Sequence, residues 1–301
     1  MRLVIAGASG FIGLLLLDRL SKQGHSLKLL TRKPCIDGQA SEKDWIVWQP
    51  GIPGEWEKCV DGVDGVINLA GEPIAAKRWT ERQKEKIRSS RIETTRSLVN
   101  AIAKAQVKPK FLINASAVGF YGARGDELLS EGSAPGKGYL AGVCIAWEEE
   151  AKRAEQHGVR VALLRTGIVL GKGRGALAKM VPPFKFFLGG PLGSGRQWMP
   201  WIHIEDEIGM ILFLMENEEA SGAFNATAPN PVTMKDFSKA LGNVLHRPSW
   251  APVPAFALAL MLGEMADMLV SGQRALPDAA LRLGYRFKYP TIDQALQSLG
   301  L

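Results

Sequence analysis

Near its start the chain runs Leu3-Val4-Ile5-Ala6 and passes at once into Gly7-Ala8-Ser9-Gly10-Phe11-Ile12-Gly13. Apolar character without polar alternation fits a strand covered on both faces. The glycines fit a tight turn into a helix, predicted from Phe11 to about Gln23, with Leu14 to Leu17 and Leu20 along it and Gly24 placed to end it. A second strand, Leu27–Thr31, follows directly. Small residues in such a turn let the backbone approach a pyrophosphate, and the free N–H groups at the helix start face its charge. A Gly-x-x-Gly-x-x-Gly alone is weak evidence and can be an ordinary βα turn. Between a buried strand and a helix it points to a dinucleotide site. Gly7, Ser9, Gly10, Phe11, Ile12 and Gly13 are the first candidate cofactor contacts.

Strand-length apolar runs recur at Gly65–Ala70, Lys110–Ala115, Arg160–Arg165 and Gly222–Ala226. Helical stretches lie between them: Glu81 to Ala105, as one helix or a broken one, and Leu140 to Gln156. Alternating strands and helices predict an α/β fold, a doubly wound parallel Rossmann sheet. Beyond Gly171 the texture changes. The stretch from Gly171 to Pro200 is rich in Gly, Pro and aromatic residues and reads as a long functional loop. From Pro231 the chain reads as mainly helical, with Met234–His246 and Pro254–Val270, a short Tyr285–Pro290 strand and a closing helix Ile292–Leu299. The expected partition is a dinucleotide-binding Rossmann domain over 1–170, rejoined by 204–226. A smaller, mainly helical substrate-side region takes up 171–203 and 227–301.

Composition excludes several classes. With 301 residues, 46% hydrophobic and 22% charged, the chain reads as globular rather than disordered. Its formal net charge is +7, but the basic residues are dispersed, so nucleic acid is not an expected partner. Cys35, Cys59 and Cys144 are far apart and read as reduced thiols. No charged segment precedes the first apolar run, which argues against a signal peptide. Glu264 and Asp267 interrupt the apolar stretch from Val253 to Val270, which then reads as a buried or interface helix instead of a membrane span. A cytoplasmic protein, monomeric or homodimeric, with a small-molecule substrate and no membrane partner is expected. Four histidines without a Cys or His cluster argue against a metal site.

The second strand ends Leu30-Thr31-Arg32-Lys33. NAD sites carry an Asp or Glu about 20 residues past the turn, to hold the ribose 2′-OH. Here Arg32 and Lys33 stand in its place, and an arginine can grip a 2′-phosphate as a planar multi-donor cation. NADP(H) is therefore the expected cofactor, with Thr31, Arg32 and Lys33 as candidates. The small-residue segment after the Gly65 strand adds Leu69, Ala70, Gly71 and Glu72.

These segments resemble the extended, nucleotide-sugar epimerase-like branch of the short-chain dehydrogenase/reductase superfamily. The resemblance rests on Gly7–Gly13, Asn68–Gly71, Ser116-Ala117-Val118-Gly119-Phe120-Tyr121-Gly122, Leu164–Gly171 and Trp201–Asp206. The chain is closer still to the YfcH-like epimerase family, through Gly71–Ile74 with Arg78-Trp79-Thr80, Ser90-Arg91, Trp147-Glu148, Pro252–Pro254 with Gly263–Met265, and Tyr285–Phe287. The resemblance implies hydride transfer at a carbonyl or alcohol carbon, or epimerisation, on a sugar-like substrate. In such proteins a Tyr-x-x-x-Lys pair and an upstream serine do the chemistry. Ser116 and Tyr139 match two of these positions as catalytic candidates. Val143 stands where the lysine belongs, a departure shared with the YfcH-like family. A free phenol has a pKa of about 10, and bringing it to neutrality takes roughly 4 kcal/mol of differential stabilisation, which the lysine helps to supply. Arg91 is a possible substitute. Two readings stand: a different acid–base scheme through Ser116 and Tyr139, or an NADPH-binding, redox-sensing protein without turnover.

Further substrate candidates are Tyr121, Arg78, Trp79, Arg196, Trp198 and His203, with Trp201 also placed near the cleft. Lys77 to Arg91 holds seven basic and two acidic residues. It reads as a solvated helix whose first residues face the ligand, although nucleic-acid binding is the competing reading.

Overall fold

A computed structural model describes residues 1–33 and 45–301. Cys35 lies outside the described residues. The first half of the chain runs β1 (Arg2–Ala6), α1 (Phe11–Lys22), β2 (Ser26–Thr31), β3 (Trp45–Val47), β4 (Gly65–Asn68), α2 (Glu81–Lys104), β5 (Phe111–Ala117), β6 (Leu128–Leu129), α3 (Tyr139–Lys152) and β7 (Arg160–Thr166). It continues through β8 (Ile168–Gly171), β9 (Arg174–Gly175), α4 (Leu177–Lys185), β10 (Trp198–Met199), β11 (Trp201–His203), α5 (Ile204–Glu216) and β12 (Gly222–Ala226). The last part holds β13 (Val232–Thr233), α6 (Met234–Leu245), α7 (Ala255–Leu262), α8 (Asp267–Val270), β14 (Arg274–Ala275), α9 (Asp278–Arg282) and α10 (Ile292–Ser298).

Seven strands form one sheet in the order β12-β7-β5-β4-β1-β2-β3, every pairing parallel. This is a doubly wound Rossmann sheet. The order reverses at β1, so its carboxyl end and that of β4 border the crevice where such sheets bind ligands. The continuous apolar runs are explained by cover on both faces. Leu3, Ile5, Leu29, Ile67, Ile113 and Leu164 pack with Leu16 and Leu20 of α1 and Ile208 and Ile211 of α5. The intervening Val4, Ala6, Val66, Leu112 and Leu163 pack with Leu98 and Ile102 of α2.

A third cluster joins Leu170, Phe184, Trp201, Phe237, Leu241, Ile292 and Leu296 across α4, α6 and α10. Asp206 ties this region to the sheet: its carboxylate accepts from the backbone N–H groups of Lys288 (2.6 Å) and Tyr289 (2.9 Å), and its carbonyl accepts from the Tyr285 hydroxyl (2.8 Å).

Several elements differ from expectation. Residues 285–290 form no strand, because their N–H groups at 288 and 289 go to the Asp206 carboxylate and not to a neighbouring strand. The 171–200 stretch is not all loop. It contains β9, α4 with Pro182 and Pro183 inside it, and β10. The helix expected over Pro254–Val270 divides at Gly263, whose positive φ of 61° ends α7. Of α7 only Leu258 is buried, so it is not a core helix. The helix between β4 and β5, α2, is unbroken over its 24 residues. Among the described residues no helix is long and apolar enough to cross a membrane. Cys59 and Cys144 are unpaired and buried.

Glu207, in the first turn of α5, is fully buried. Its Oε1 accepts from the Thr166 hydroxyl at 2.8 Å, and Oε2 has no partner among the described residues. Burial pushes this carboxyl up to about 8. The folded protein therefore keeps a proton there that the unfolded chain releases near pH 4.5. Stability is full below that point and is lost as pH rises to about 8, by up to roughly 5 kcal/mol. Thermal melts of Glu207→Gln should coincide with wild type near pH 4.5 and exceed it by a margin that widens up to pH 8. Parallel curves would contradict this account.

Candidate active site

The carboxyl ends of β1 and β4 lie in contact. Leu69 donates its N–H to the Ala6 carbonyl at 2.8 Å. Gly7 turns away with φ of 87°, and a Cβ there would lie 2.7 Å from Ala70 N and Leu69 C. A Cβ on Gly13 would meet the Gly7 carbonyl at 2.2 Å. Only glycine fits either place. The Gly10 N–H closes the turn on the Gly7 carbonyl at 3.0 Å. Gly10 is the N-cap of α1 and offers no side-chain acceptor, and the first turn contains no acid. The opening N–H groups of α1 and its positive dipole end therefore face the cleft without a competing protein anion. Those are the donors a pyrophosphate needs, and a bulkier turn would exclude it.

Beside the turn, the Thr31 hydroxyl donates to the Lys33 carbonyl (2.8 Å) and accepts from its N–H (3.3 Å). This closed turn leaves Arg32 and Lys33 exposed at the end of β2. On the other flank, Asn68 is fully buried. Its amide donates to Thr95 (2.9 Å) and Asn114 (2.7 Å), while its oxygen accepts from the Ala70 N–H (3.2 Å). Trp147 Nε1 also donates to Thr95, at 2.9 Å. The Leu69–Gly71 backbone is thus pinned from α2, β5 and α3. None of Thr95, Asn114 and Trp147 stood out as a site residue in the sequence.

Arg91 sits beneath the same segment. It donates to the carbonyls of Glu72 (3.0 Å) and Ile87 (2.9 Å) and stacks on the Trp147 ring at 5.1 Å. Burial pulls its guanidinium below the ordinary arginine value. It supports Gly71 and Glu72 from below.

Ser116 and Tyr139 come to the cleft end of the sheet with their hydroxyls already engaged. Ser116 Oγ donates to Glu148 Oε1 at 2.6 Å. Glu148 takes a two-point ion pair from Arg165, at 2.8 Å on each oxygen, with both side chains buried. Arg165 also donates to the Tyr121 hydroxyl at 2.9 Å, and Tyr121 donates on to Asn225 Oδ1 at 2.7 Å. Arg165 lies over the Phe120 ring at 3.5 Å. Tyr139 donates to the Lys84 carbonyl at 2.5 Å and meets Trp79 edge-on at 5.3 Å. Burial raises its phenol above the ordinary value, against an opposing pull from Arg91. Val143, one turn along α3, is buried at 3% exposure.

Several substrate candidates fall elsewhere. Tyr121 has no exposed surface, because its hydroxyl belongs to the Arg165 network. His203 caps α5, its Nδ1 accepting from the Glu205 N–H at 3.1 Å, and its ring packs on Tyr289. Burial pushes His203 down to about 4, so it is neutral at pH 7. Trp201 is in the C-terminal core. Trp198 donates to Asp126 at 2.8 Å and stacks under Arg274. The Arg196 N–H donates to the Ser194 hydroxyl at 3.2 Å, and its side chain is exposed. Arg78 packs against Gly263 at the end of α7, and Trp79 Nε1 donates to the Ile74 carbonyl at 2.9 Å. Among the described residues no cluster of His, Cys, Asp and Glu could hold a metal ion.

Glu148 and Arg165 are the residues that motif reading left without a role. Removing one charge strands the other, so Arg165→Met should cost about 3–5 kcal/mol in urea unfolding. Glu148→Leu with Arg165→Met should recover most of that loss. Additive losses in the double variant would show that the pair is not coupled.

Residues 3–227 match the NAD dependent epimerase/dehydratase family, and residues 253–299 match a domain of unknown function, DUF1731. The chain is 44% identical to the chloroplastic SDR39U1 homolog, an epimerase family protein of Arabidopsis thaliana, over 99% of this chain and 86% of that one. It is 42% identical to the epimerase family protein YfhF of Bacillus subtilis, over 99% of this chain and 98% of that one. The crystal structure of human epimerase family protein SDR39U1 with NADPH superposes with a TM-score of 0.89 at 33% identity, covering 100% of this chain and 99% of that one. The glycine turn, the sheet order and these matches agree: the chain belongs to the NAD dependent epimerase/dehydratase family.

Proposed function

We propose that this protein binds NADP(H) at the switch point between β1 and β4 and does so without a working tyrosine–lysine proton relay. One observation carries the second half: the Tyr139 hydroxyl is spent on the Lys84 carbonyl, while buried Val143 occupies the lysine position. The protein then acts as an NADPH-binding, redox-sensing member of its family. The opening N–H groups of α1 hold the pyrophosphate. Leu69, Ala70 and Gly71 border the cofactor from the β4 side. Arg32, with Lys33 beside it, holds the 2′-phosphate, where an acid would repel it. The NADPH in the similar human structure supports this choice of cofactor. Bound NADPH supplies a hydride.

A second reading has its own support. The Arg91 charge opposes the upward push of burial on Tyr139, the direction the missing lysine would provide. In that reading Tyr139 leaves Lys84, Ser116 orients the carbonyl of a sugar-like substrate, and Tyr139 gives its proton to the substrate oxygen, while the hydride for the carbon would come from bound NADPH. Reduction suits a phenol that stays protonated at pH 7.

Titration calorimetry separates the parts. Arg32→Ala should weaken NADPH binding about tenfold or more, roughly 1.4 kcal/mol, and leave NADH unchanged. Equal losses for both cofactors would remove Arg32 from the 2′-phosphate. Tyr139→Phe should bind NADPH as wild type does, with NADPH oxidation over a carbonyl panel at background in both. A carbonyl reduced by wild type but not by Tyr139→Phe, at equal NADPH affinity, would establish the second reading.

A further inference from the structure

Fourteen large apolar side chains are exposed among the described residues, and seven of them lie on two adjoining segments. Phe186, Phe187 and Leu188 follow α4 at 75%, 54% and 60% exposure, and Trp250 stands beside them at 65%. Trp250 Nε1 donates to the Phe187 carbonyl at 3.0 Å, and its backbone N–H donates to the Gly189 carbonyl at 3.0 Å. Leu192 and Val253 continue the contact as a parallel bridge. Two residues later α7 begins, and it presents Phe256, Leu260 and Met261 at 70–79% exposure. Monomeric proteins rarely leave such a surface without a partner.

The charge around this surface is one-sided. In the chain that builds it, residues 177–200 hold Lys179, Lys185 and Arg196, residues 237–263 hold Lys239 and Arg247, and neither segment contains an Asp or Glu. Arg247 lies over the Phe187 ring at 4.6 Å, and Lys185 directly precedes Phe186. The first acid past α7, Glu264, is paired with Lys84 at 3.0 Å. A second copy of this chain would bring the same cations face to face. The occupant that suits exposed Phe, Trp, Leu and Met among uncompensated Lys and Arg is an anionic bilayer surface, with the apolar side chains in the acyl boundary and the cations at the headgroups.

We propose that the face formed by Phe186–Leu188, Trp250 and α7 docks peripherally on anionic phospholipid membranes. Such docking requires no spanning helix. The same elements meet the segment that leads on from Glu72: Lys179 on α4 donates to the Ala75 carbonyl at 2.7 Å, and Arg78 packs on Gly263 at the end of α7. Docking would therefore bring that segment to the membrane.

Vesicle flotation of the full chain with NADPH tests this. The probes are phosphatidylcholine vesicles and vesicles with about one third phosphatidylglycerol. The chain should float with the anionic vesicles at least about tenfold more than with the neutral ones, and high salt should reverse this. Leu260→Ser with Met261→Ser removes only exposed side chains. It should keep the melting temperature and NADPH affinity while losing about tenfold of the bound fraction. Three results would overturn the proposal: no preference for anionic vesicles, undiminished flotation of the double variant, or a wild-type dimer in sedimentation that the double variant abolishes. Salt-dependent binding to mixed RNA that outcompetes the vesicles would assign the face to nucleic acid instead.

Discussion

The Arg165–Glu148 pair sets the arrangement on which the rest of the site depends. It lies between β7 and α3 with both side chains buried. Two buried charges gain nothing over a packed apolar pair unless their hydrogen bonds are complete. Here Glu148 receives two bonds from Arg165 and one from Ser116, and Arg165 adds Tyr121 and the Glu131 carbonyl at 3.1 Å. Asn225 receives the Tyr121 hydroxyl and passes the connection to the Leu276 carbonyl at 2.8 Å. One ion pair thus fixes the serine on β5, the turn after it, the edge strand β12 and the segment leading to α9. A group held this tightly is poorly suited to orient a substrate, so the expected catalytic serine acts first as structure.

The cofactor side follows a different logic, of steric exclusion and not of charge. Gly7 and Gly13 leave no room for a Cβ because the turn lies against Leu69, Ala70 and Ala8. The Asn68–Thr95–Asn114 network then keeps the β4 end from moving away. The cleft wall is preformed, which spares a ligand the cost of ordering it.

The sheet and its glycine turn were legible because their signals are local. A continuous apolar run and a residue that must lack a side chain leave marks in a short window. The same holds for α6 and α10. The failures share a cause in long-range partners. Nothing near residues 285–290 announces that Asp206, some eighty positions earlier, will claim their N–H groups. Tyr121 and His203 have side chains suited to a substrate, yet they serve Asn225 and the first turn of α5. The apolar 254–270 stretch carried a hydrophobicity signal without saying what would cover it. Strands as short as β8 and β11 hold too few residues to show periodicity, and they are defined by pairing with each other and, for β8, with β9.

The missing lysine is best understood through what replaced it. Tyr139, Val143 and Trp147 stand four residues apart and share one face of α3. A lysine at 143 would be buried, and a buried ammonium without a fixed anion is costly. Valine removes that cost, and Trp147 extends the face with an indole bonded to Thr95. The cation has moved across to α2, where Arg91 stacks on that indole and grips the Glu72 and Ile87 carbonyls. Its donors are committed to the backbone, unlike those of a mobile ammonium. Positive charge therefore persists under the site, where it holds the backbone beside the cofactor cleft and offsets part of the upward push that burial gives the Tyr139 phenol.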